Sequence, residues 1–182
     1  MDKRKISFSD KIFIAGANGM VGSSIKRNLI QNGYGEKNGG KIFAPSKKEL
    51  NLLNYSDVEA FISHNKPDLI IHAAGVVGGI QANIKQPVKF LIENMKMGVN
   101  ILNASRANKV QRFINLSSSC IYPRNSDIAL TEEKLLTGEL EPTNEGYALA
   151  SHAPGTCPNA MLVPIASSSP DMTTKPCKAL SS

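Results

Sequence analysis

The chain has 182 residues and a formal net charge of +6, a length that fits one domain with or without an appendage. Its basic residues are scattered and it contains no Trp, so it lacks the charged, aromatic surface that nucleic-acid binding requires. No apolar run reaches the ~18 residues of a membrane helix, and Cys120, Cys157 and Cys177 have neither disulfide nor metal spacing. We expect a cytoplasmic protein without nucleic-acid or membrane partners.

Apolar runs alternate with amphipathic stretches over residues 11–150, which predicts helices around a parallel sheet. A strand at Lys11 to Ala15 is followed by a glycine-rich turn and a helix from Val21 to Gln31. Further strands are predicted at Lys41 to Ala44 and around Leu50 to Leu53. The predicted fold class is α/β, a Rossmann-type doubly wound sheet.

The second half of this region continues the alternation. Ser56 and Glu59 form an S-x-x-E capping box that opens a helix to about Asn65. Asp68 to Ala74 is apolar on both faces, as a central parallel strand should be. The last two predicted elements are a helix from Pro87 to about Lys109 and a strand from Arg112 to Ser117. The core-facing stripe of that helix is expected to include Phe90, Leu91, Met95, Val99, Leu102 and Ala104.

The composition changes after residue 150. Residues 151–182 hold five of the ten prolines and only three charged side chains, so little apolar surface is left to offset ordering entropy. We expect an irregular, disordered tail and a sheet truncated after the fifth strand, with Ala160 to Ile165 adding at most a short edge strand. The expected domains are residues 1–10 as an extension, 11–150 as an incomplete cofactor-binding domain, and 151–182 as the tail.

The turn after the first strand reads G-A-N-G-M-V-G. Glycine lets the backbone turn sharply and approach a pyrophosphate, whose charge then lies at the N-terminus of the following helix. A plain tight turn between strand and helix is the alternative. The candidate cofactor-binding residues here are Gly16, Asn18, Gly19, Met20, Val21 and Gly22.

Two further segments bear on the cofactor. Ser46, Lys47 and Lys48 follow the second strand, where a carboxylate would favour NAD and cations favour the 2'-phosphate of NADP. We therefore predict NADP. The alternative is that both lysines belong to a solvated loop. Ala73 and Ala74 follow a buried strand and allow close approach of a flat ligand. His72, inside that strand, is predicted to be a satisfied core histidine rather than a catalyst.

Five blocks along residues 11–150 carry a specific resemblance: G-A-N-G-M-V-G, K-E-L-N-L-L, V-V-G-G-I, S-S-C-I-Y-P and E-P-T-N-E-x-Y-A-x-A. Together they resemble the GDP-L-fucose synthase family of extended short-chain dehydrogenases. The resemblance implies an NADPH-dependent epimerase-reductase acting on GDP-4-keto-6-deoxy-mannose. It also implies three catalytic residues. Ser118 would hydrogen-bond the substrate oxygen, Cys120 would be the acid/base of epimerisation, and Tyr147 would donate the proton in reduction.

Each of these three residues also has a simpler interpretation. Ser118 can satisfy loop backbone, Cys120 can be a small buried hydrophobe, and Tyr147 can be a packing aromatic. The family pattern also places a lysine four residues after the tyrosine, where this chain has Ser151. The match to the family pattern ends after Ala150, and a reading-frame slip there is the explanation we favour.

Three functions are compatible with the sequence. The chain can be a truncated, inactive enzyme of nucleotide-sugar biosynthesis, a non-catalytic nucleotide-binding or scaffold module, or a working reductase in which another residue replaces the lysine. If the sheet ends at the strand of Phe113, Ile114 and Leu116, that open apolar edge can pair with other copies. The isolated chain is therefore predicted to be oligomeric, sticky or marginally folded, with a homo-oligomer as one candidate state.

Overall fold

The computed structural model describes residues 5–78, 80–124, 131–135, 137–140, 142, 145–152 and 160–165. They form a five-stranded sheet in the order β2-β1-β3-β4-β5, with every pair parallel. The prediction of an α/β, Rossmann-type parallel sheet is confirmed. The strands are β1 (Lys11–Ala15), β2 (Lys41–Phe43), β3 (Leu69–His72), β4 (Arg112–Ser118) and β5 (Ala160–Ile165).

Helices cover both faces of this sheet. They are α1 (Met20–Gln31), α2 (Tyr55–Asn65), α3 (Ile80–Lys85), α4 (Pro87–Ala107) and α5 (Glu145–His152). Short 3₁₀ turns lie at Glu36–Asn38, Ser119–Ile121 and Glu132–Lys134. None of the helices in the described part of the chain combines the length and hydropathy that a bilayer crossing requires.

The core consists of two apolar layers separated by the sheet. On one face, Phe13, Ile70 and Phe113 pack against residues of α2 and α4. On the other, Ile12, Ile14, Leu69 and Ile71 pack with Leu29 of α1. Strands β1 and β3 are therefore buried on both faces, which explains why they read as continuous apolar runs.

Two local predictions were wrong. Residues Leu50 to Leu53 form turns and no strand, because their leucines pack inward from a loop and do not extend the sheet. Helix α2 begins after Asn54, whose side chain accepts the N–H of Ser56 at 3.0 Å. Asparagine at this position caps the helix as well as serine does, so the proposed Ser56–Glu59 box is not used.

The orientation of α4 also differs from the prediction. Met95 and Val99 are exposed, although the apolar stripe was expected to bury them. Phe90 and Ala104 are buried as predicted. Relative to the predicted orientation, the helix is turned about its own axis, so that Asn94 and Asn100 face the core. The buried residues of α4 are Phe90, Asn94, Met97, Gly98, Asn100, Ile101, Ala104 and Ser105.

The segment after residue 150 is partly regular. Ser151 and His152 complete α5, and β5 pairs in parallel with β4 from Phe113↔Ala160 to Ser118↔Ile165. The strand of Phe113 therefore has a neighbour, contrary to the open edge expected from the sequence. Residues 153–159 and 166–182 lie outside the described residues, and for them the irregular tail stays a prediction.

Candidate cofactor and active site

The glycine turn joins β1 to α1 at the carboxyl edge of the sheet. Gly16 has a φ of +81°, in the left-handed region that favours glycine. The N–H of Gly19 donates to the Gly16 carbonyl at 3.0 Å, and α1 begins at the next residue. No side chain caps α1 and its first turn holds no acidic residue. This helix N-terminus therefore presents N–H groups suited to an anion.

The turn also makes close backbone contacts that only glycine allows. A Cβ added at Gly16 would lie 2.5 Å from the Cα of Ala74 and 2.7 Å from the carbonyl carbon of Ala73. A Cβ on Gly22 would collide with the Gly16 carbonyl oxygen. The turn is thus pressed against the end of β3, where the Ala73 N–H donates to the Ala15 carbonyl at 2.9 Å.

A cavity of about 260 Å³ opens beside this contact. Its walls come from the glycine turn, the end of β3, the loops after β2, and Met97 of α4. Six of the eleven predicted cofactor residues line it: Gly16, Asn18, Gly19, Lys47, Ala73 and Ala74. The other five, Met20, Val21, Gly22, Ser46 and Lys48, are not among the lining residues.

The segment between β2 and the cavity separates the two lysines. Lys47 lines the cavity, whereas Lys48 does not. The Glu49 carboxylate accepts the N–H of Ser46 at 2.7 Å, and this backbone hydrogen bond lowers the pKa of Glu49. Glu49 is therefore tied to its own loop. Among the described residues that line the cavity, Lys47 is the one that carries a charge.

A second depression, of about 410 Å³, lies between α1 and the β3–β4 face of the sheet. The described residues that line it include neither a charged side chain nor any of the candidate residues. Lys47 and the glycine turn, which are the features suited to phosphate groups, belong to the other cavity.

Two of the three predicted catalytic residues lie where β4 ends. Ser118 and Cys120 are both half-buried, and the Cys120 N–H donates to the Ser118 Oγ at 3.2 Å. Ser118 thereby caps the Ser119–Ile121 turn, which is the simpler role considered for it. The hydroxyl and the free thiol of Cys120 are thus two residues apart on one turn.

Helix α5 brings the third catalytic candidate to this turn. It contacts both β4 and the Ser119–Ile121 turn, and Tyr147 lies within it. Because α5 continues to His152, positions 147 and 151 are one helical turn apart. The backbone geometry for a tyrosine–lysine pair is present, and the lysine is replaced by Ser151.

His72 is buried in the core, as predicted, at 5% exposure. It was expected to be satisfied, but its Nδ1 has no hydrogen-bond partner. Its ring lies 6.4 Å from that of Phe113, and burial lowers its pKa from 6.5 to about 4. The ring is therefore neutral at physiological pH.

Sequence reasoning missed several residues of the cavity. Leu50 to Leu53 form one wall, Gly75 and Val76 another, and Met97 closes it from α4. The K-E-L-N-L-L block contained the first group, but periodicity assigned it to a strand. Met97 gave no signal, because one methionine in an amphipathic helix is normally a core residue.

The parallel order, the glycine turn and the cavity at the carboxyl edge define a Rossmann-type dinucleotide-binding domain. The profile of the NAD dependent epimerase/dehydratase family matches residues 12–154. The chain belongs to this family.

Several curated proteins are similar to it. GDP-L-colitose synthase of Yersinia pseudotuberculosis is 51% identical over 140 residues, or 77% of this chain and 44% of that protein. GDP-L-fucose synthase of Azorhizobium caulinodans is 46% identical over 140 residues, covering 77% and 43%. The Escherichia coli GDP-L-fucose synthase is 43% identical over 143 residues, covering 79% and 43%. The chain thus spans less than half the length of these relatives.

Solved structures of other proteins show the same fold. GDP-mannoheptose C4 reductase from Campylobacter jejuni, with NADP bound, superposes with a TM-score of 0.80 at 26% identity, over 89% of this chain and 49% of that one. A GDP-L-fucose synthetase from Naegleria fowleri bound to NADP shares the fold, with a TM-score of 0.75 at 22% identity, over 89% and 54%.

Proposed function

We propose that this chain is the NADP(H)-binding part of a GDP-sugar epimerase-reductase and that, by itself, it binds the cofactor without turning over a sugar. The observation that carries the proposal is the cavity in which Gly16, Lys47 and Ala74 come together. Solved relatives with NADP bound support the choice of cofactor.

The cavity and the turn provide different parts of that binding. The start of α1 supplies N–H groups for the pyrophosphate. Lys47 supplies a cation for the 2'-phosphate, and one oxygen of the Glu49 carboxylate already accepts the Ser46 N–H. The leucines of Leu50 to Leu53 give an apolar wall for the adenine.

The substrate of the complete enzyme is a GDP-linked keto-sugar. The resemblance indicates GDP-4-keto-6-deoxy-mannose, and the similarity to a GDP-L-colitose synthase makes a related GDP-sugar the second candidate. Ser118 and Cys120 occupy a turn at the end of β4, beside α5, where they can face a sugar bound next to the cofactor. Ser118 would hold the sugar oxygen, and Cys120 and Tyr147 would exchange protons with it.

The residue at position 151 argues against turnover. In the resemblance a lysine at position 151 lowers the pKa of the catalytic tyrosine, because a nearby cation favours the phenolate. Ser151 carries no charge. A serine cannot supply that effect, so we expect a cofactor-binding cytoplasmic protein without reductase activity.

Direct titration tests the proposal. The chain has no Trp, so the emission of bound NADPH can be recorded with little protein background. We expect saturable binding of NADPH and NADP, weaker binding of NAD, and no NADPH consumption when a GDP-keto-sugar is added. No saturation up to millimolar NADPH in a folded sample would contradict the proposal.

We also propose that the protein is a homo-oligomer formed through the outer face of α4. Four apolar side chains there are exposed at alternating spacings of four and three residues, and Leu149 of α5 is exposed as well. An apolar stripe of this kind marks an interaction surface. The stripe consists of Val88, Ile92, Met95 and Val99.

The oligomeric state of the protein in solution tests this proposal. Ile92→Lys is expected to shift an oligomer toward monomer, because it introduces a charge into the stripe. Ile30→Lys, at an equally exposed position on α1, is the control and should leave the size unchanged. A monomeric wild-type protein would show that the stripe does not hold copies together.

A further inference from the structure

Helix α4 carries an amide side chain that forms hydrogen bonds with the loop after β3. Asn94 is 7% exposed, and its Oδ1 accepts the Val76 N–H at 2.7 Å. Its Nδ2 donates to the Val76 carbonyl at 2.9 Å and to the Phe90 carbonyl at 2.8 Å. One side chain thus satisfies both backbone groups of Val76, a residue of the cavity wall.

A second amide on the same helix forms a hydrogen bond with the loop after β2, on the other side of the cavity. Asn100 is 8% exposed, and its Nδ2 donates to the Leu52 carbonyl at 2.9 Å, across 48 residues of sequence. Leu52 belongs to the other wall of the cavity. The residue halfway between the two asparagines, Met97, lines the cavity itself.

We propose that Asn94 and Asn100 are positioning residues that set the separation of the two cavity walls and thereby the affinity for the cofactor. Met97 is three residues from each asparagine, so it is their common neighbour on the surface of α4. Both loops are therefore hydrogen-bonded to the same helix, α4. This role rests on the proposed binding of NADP(H) in the cavity.

Chemistry explains why amides occupy these buried positions. Loop backbone that leaves the sheet needs other hydrogen-bond partners when it is buried. An apolar side chain would fill the space but would leave the Leu52 carbonyl and both groups of Val76 to find other partners. A hydrogen bond is also directional, so it fixes where each loop lies relative to α4.

The chain offers a matched pair of variants for the test. Asn100→Ala removes one Nδ2 hydrogen bond of 2.9 Å to the cavity wall. Asn108→Ala removes one of the same length to the Ala104 carbonyl, at the C-terminal end of the same helix. If Asn100 only stabilises the fold, the two variants should behave alike.

We expect Asn100→Ala to weaken NADPH binding by about threefold to tenfold, the value of one hydrogen bond, and Asn108→Ala to leave the dissociation constant unchanged. Asn100→Gln, which restores a donor, should recover part of the loss. Equal dissociation constants for Asn100→Ala and wild type, or equal losses in both alanine variants, would overturn the positioning role.

Amide exchange without ligand gives a second measurement. Asn100→Ala should speed exchange in Asn51 to Leu53, and Asn94→Ala should speed it at Val76, relative to the core of β1. Unchanged exchange in these loops would also overturn the role. If wild-type protein fails to bind NADPH, the proposed function is wrong. If it binds and the variants match Asn108→Ala, binding stands and only the positioning role is wrong.

Discussion

The two ends of the site differ in how completely the chain builds them. At the cofactor end, the glycine turn, two loops and Met97 enclose a cavity, and buried backbone contacts hold its walls. At the predicted reaction end, the Cys120 N–H donates to the Ser118 Oγ, and position 151 holds a serine where the family resemblance implies a lysine. Binding and chemistry in this fold therefore have separate structural requirements, and this chain meets mainly the first.

The largest expected effect concerns chemistry. A positioned acid or base contributes typically ~10²- to 10⁴-fold to a rate, so we expect no measurable reduction of a GDP-keto-sugar by NADPH. Ser151→Lys alone, which returns a single cation near Tyr147, is not expected to restore turnover. Loss of NADPH absorbance in the presence of the keto-sugar is the measurement. Turnover by the unaltered chain would remove the distinction between the two ends.

The second prediction concerns the close approach at the cofactor end. Gly16→Ala is expected to destabilise the fold by about 3 kcal/mol or more, since left-handed strain adds to a backbone collision. Gly39 has the same φ of +81° but no atom within 4 Å of its added Cβ. Gly39→Ala should therefore cost only about 1–2 kcal/mol. Denaturant unfolding compares the two, and equal losses would mean that the contact with Ala74 is unimportant.

The third prediction distinguishes the two adjacent lysines. Lys47→Ala should weaken NADP binding by about 1–3 kcal/mol, the value of charge-assisted hydrogen bonds, and leave NAD binding nearly unchanged. Lys48→Ala is the control, because Lys48 does not line the cavity. Calorimetry with both nucleotides measures the difference. A loss as large for Lys48→Ala as for Lys47→Ala would show that general charge attraction governs the preference.

The smallest effect concerns pH. The pKa of His72 is lowered from 6.5 to about 4 by burial, so the unfolded chain binds a proton that the folded chain excludes. The contribution of the neutral His72 to the free energy of unfolding is fully present above pH 6.5 and is lost as the pH drops toward 4. We expect a loss of about 1 kcal/mol between pH 7.5 and 5.5, which His72→Leu should abolish.

The control for this pH dependence is His64→Gln, since His64 is exposed on α2. Urea unfolding at several pH values gives the free energies. If His72→Leu keeps the full pH dependence, another group is responsible for it.

Much of the cofactor end could be predicted from the sequence. Strand β1 was predicted with its observed bounds, because a short apolar run followed by glycines leaves few alternatives. The two asparagines could not be predicted, since a polar residue in an amphipathic helix normally faces solvent. Their inward position depends on carbonyl groups of Leu52 and Val76, which are distant in sequence.

The wrong predictions have the same cause, because they also depend on contacts between residues that are distant in sequence. Leu50 to Leu53 looked like a strand because its leucines are apolar, but their burial comes from a loop that α4 holds. Met95 and Val99 were placed inward by periodicity, and the inward asparagines turn that surface outward. At the predicted reaction end, the roles of Ser118, Cys120 and Tyr147 stay predictions.

The cavity has a further consequence for how the protein is made. All of its lining residues lie between Phe13 and Met97, whereas Ser118, Cys120 and Tyr147 come later in the chain. A nascent chain therefore contains every cavity residue before any catalytic candidate is added. Because a ligand that binds only the folded state stabilises it by mass action, the cellular concentration of the cofactor becomes a factor in the yield of folded chains.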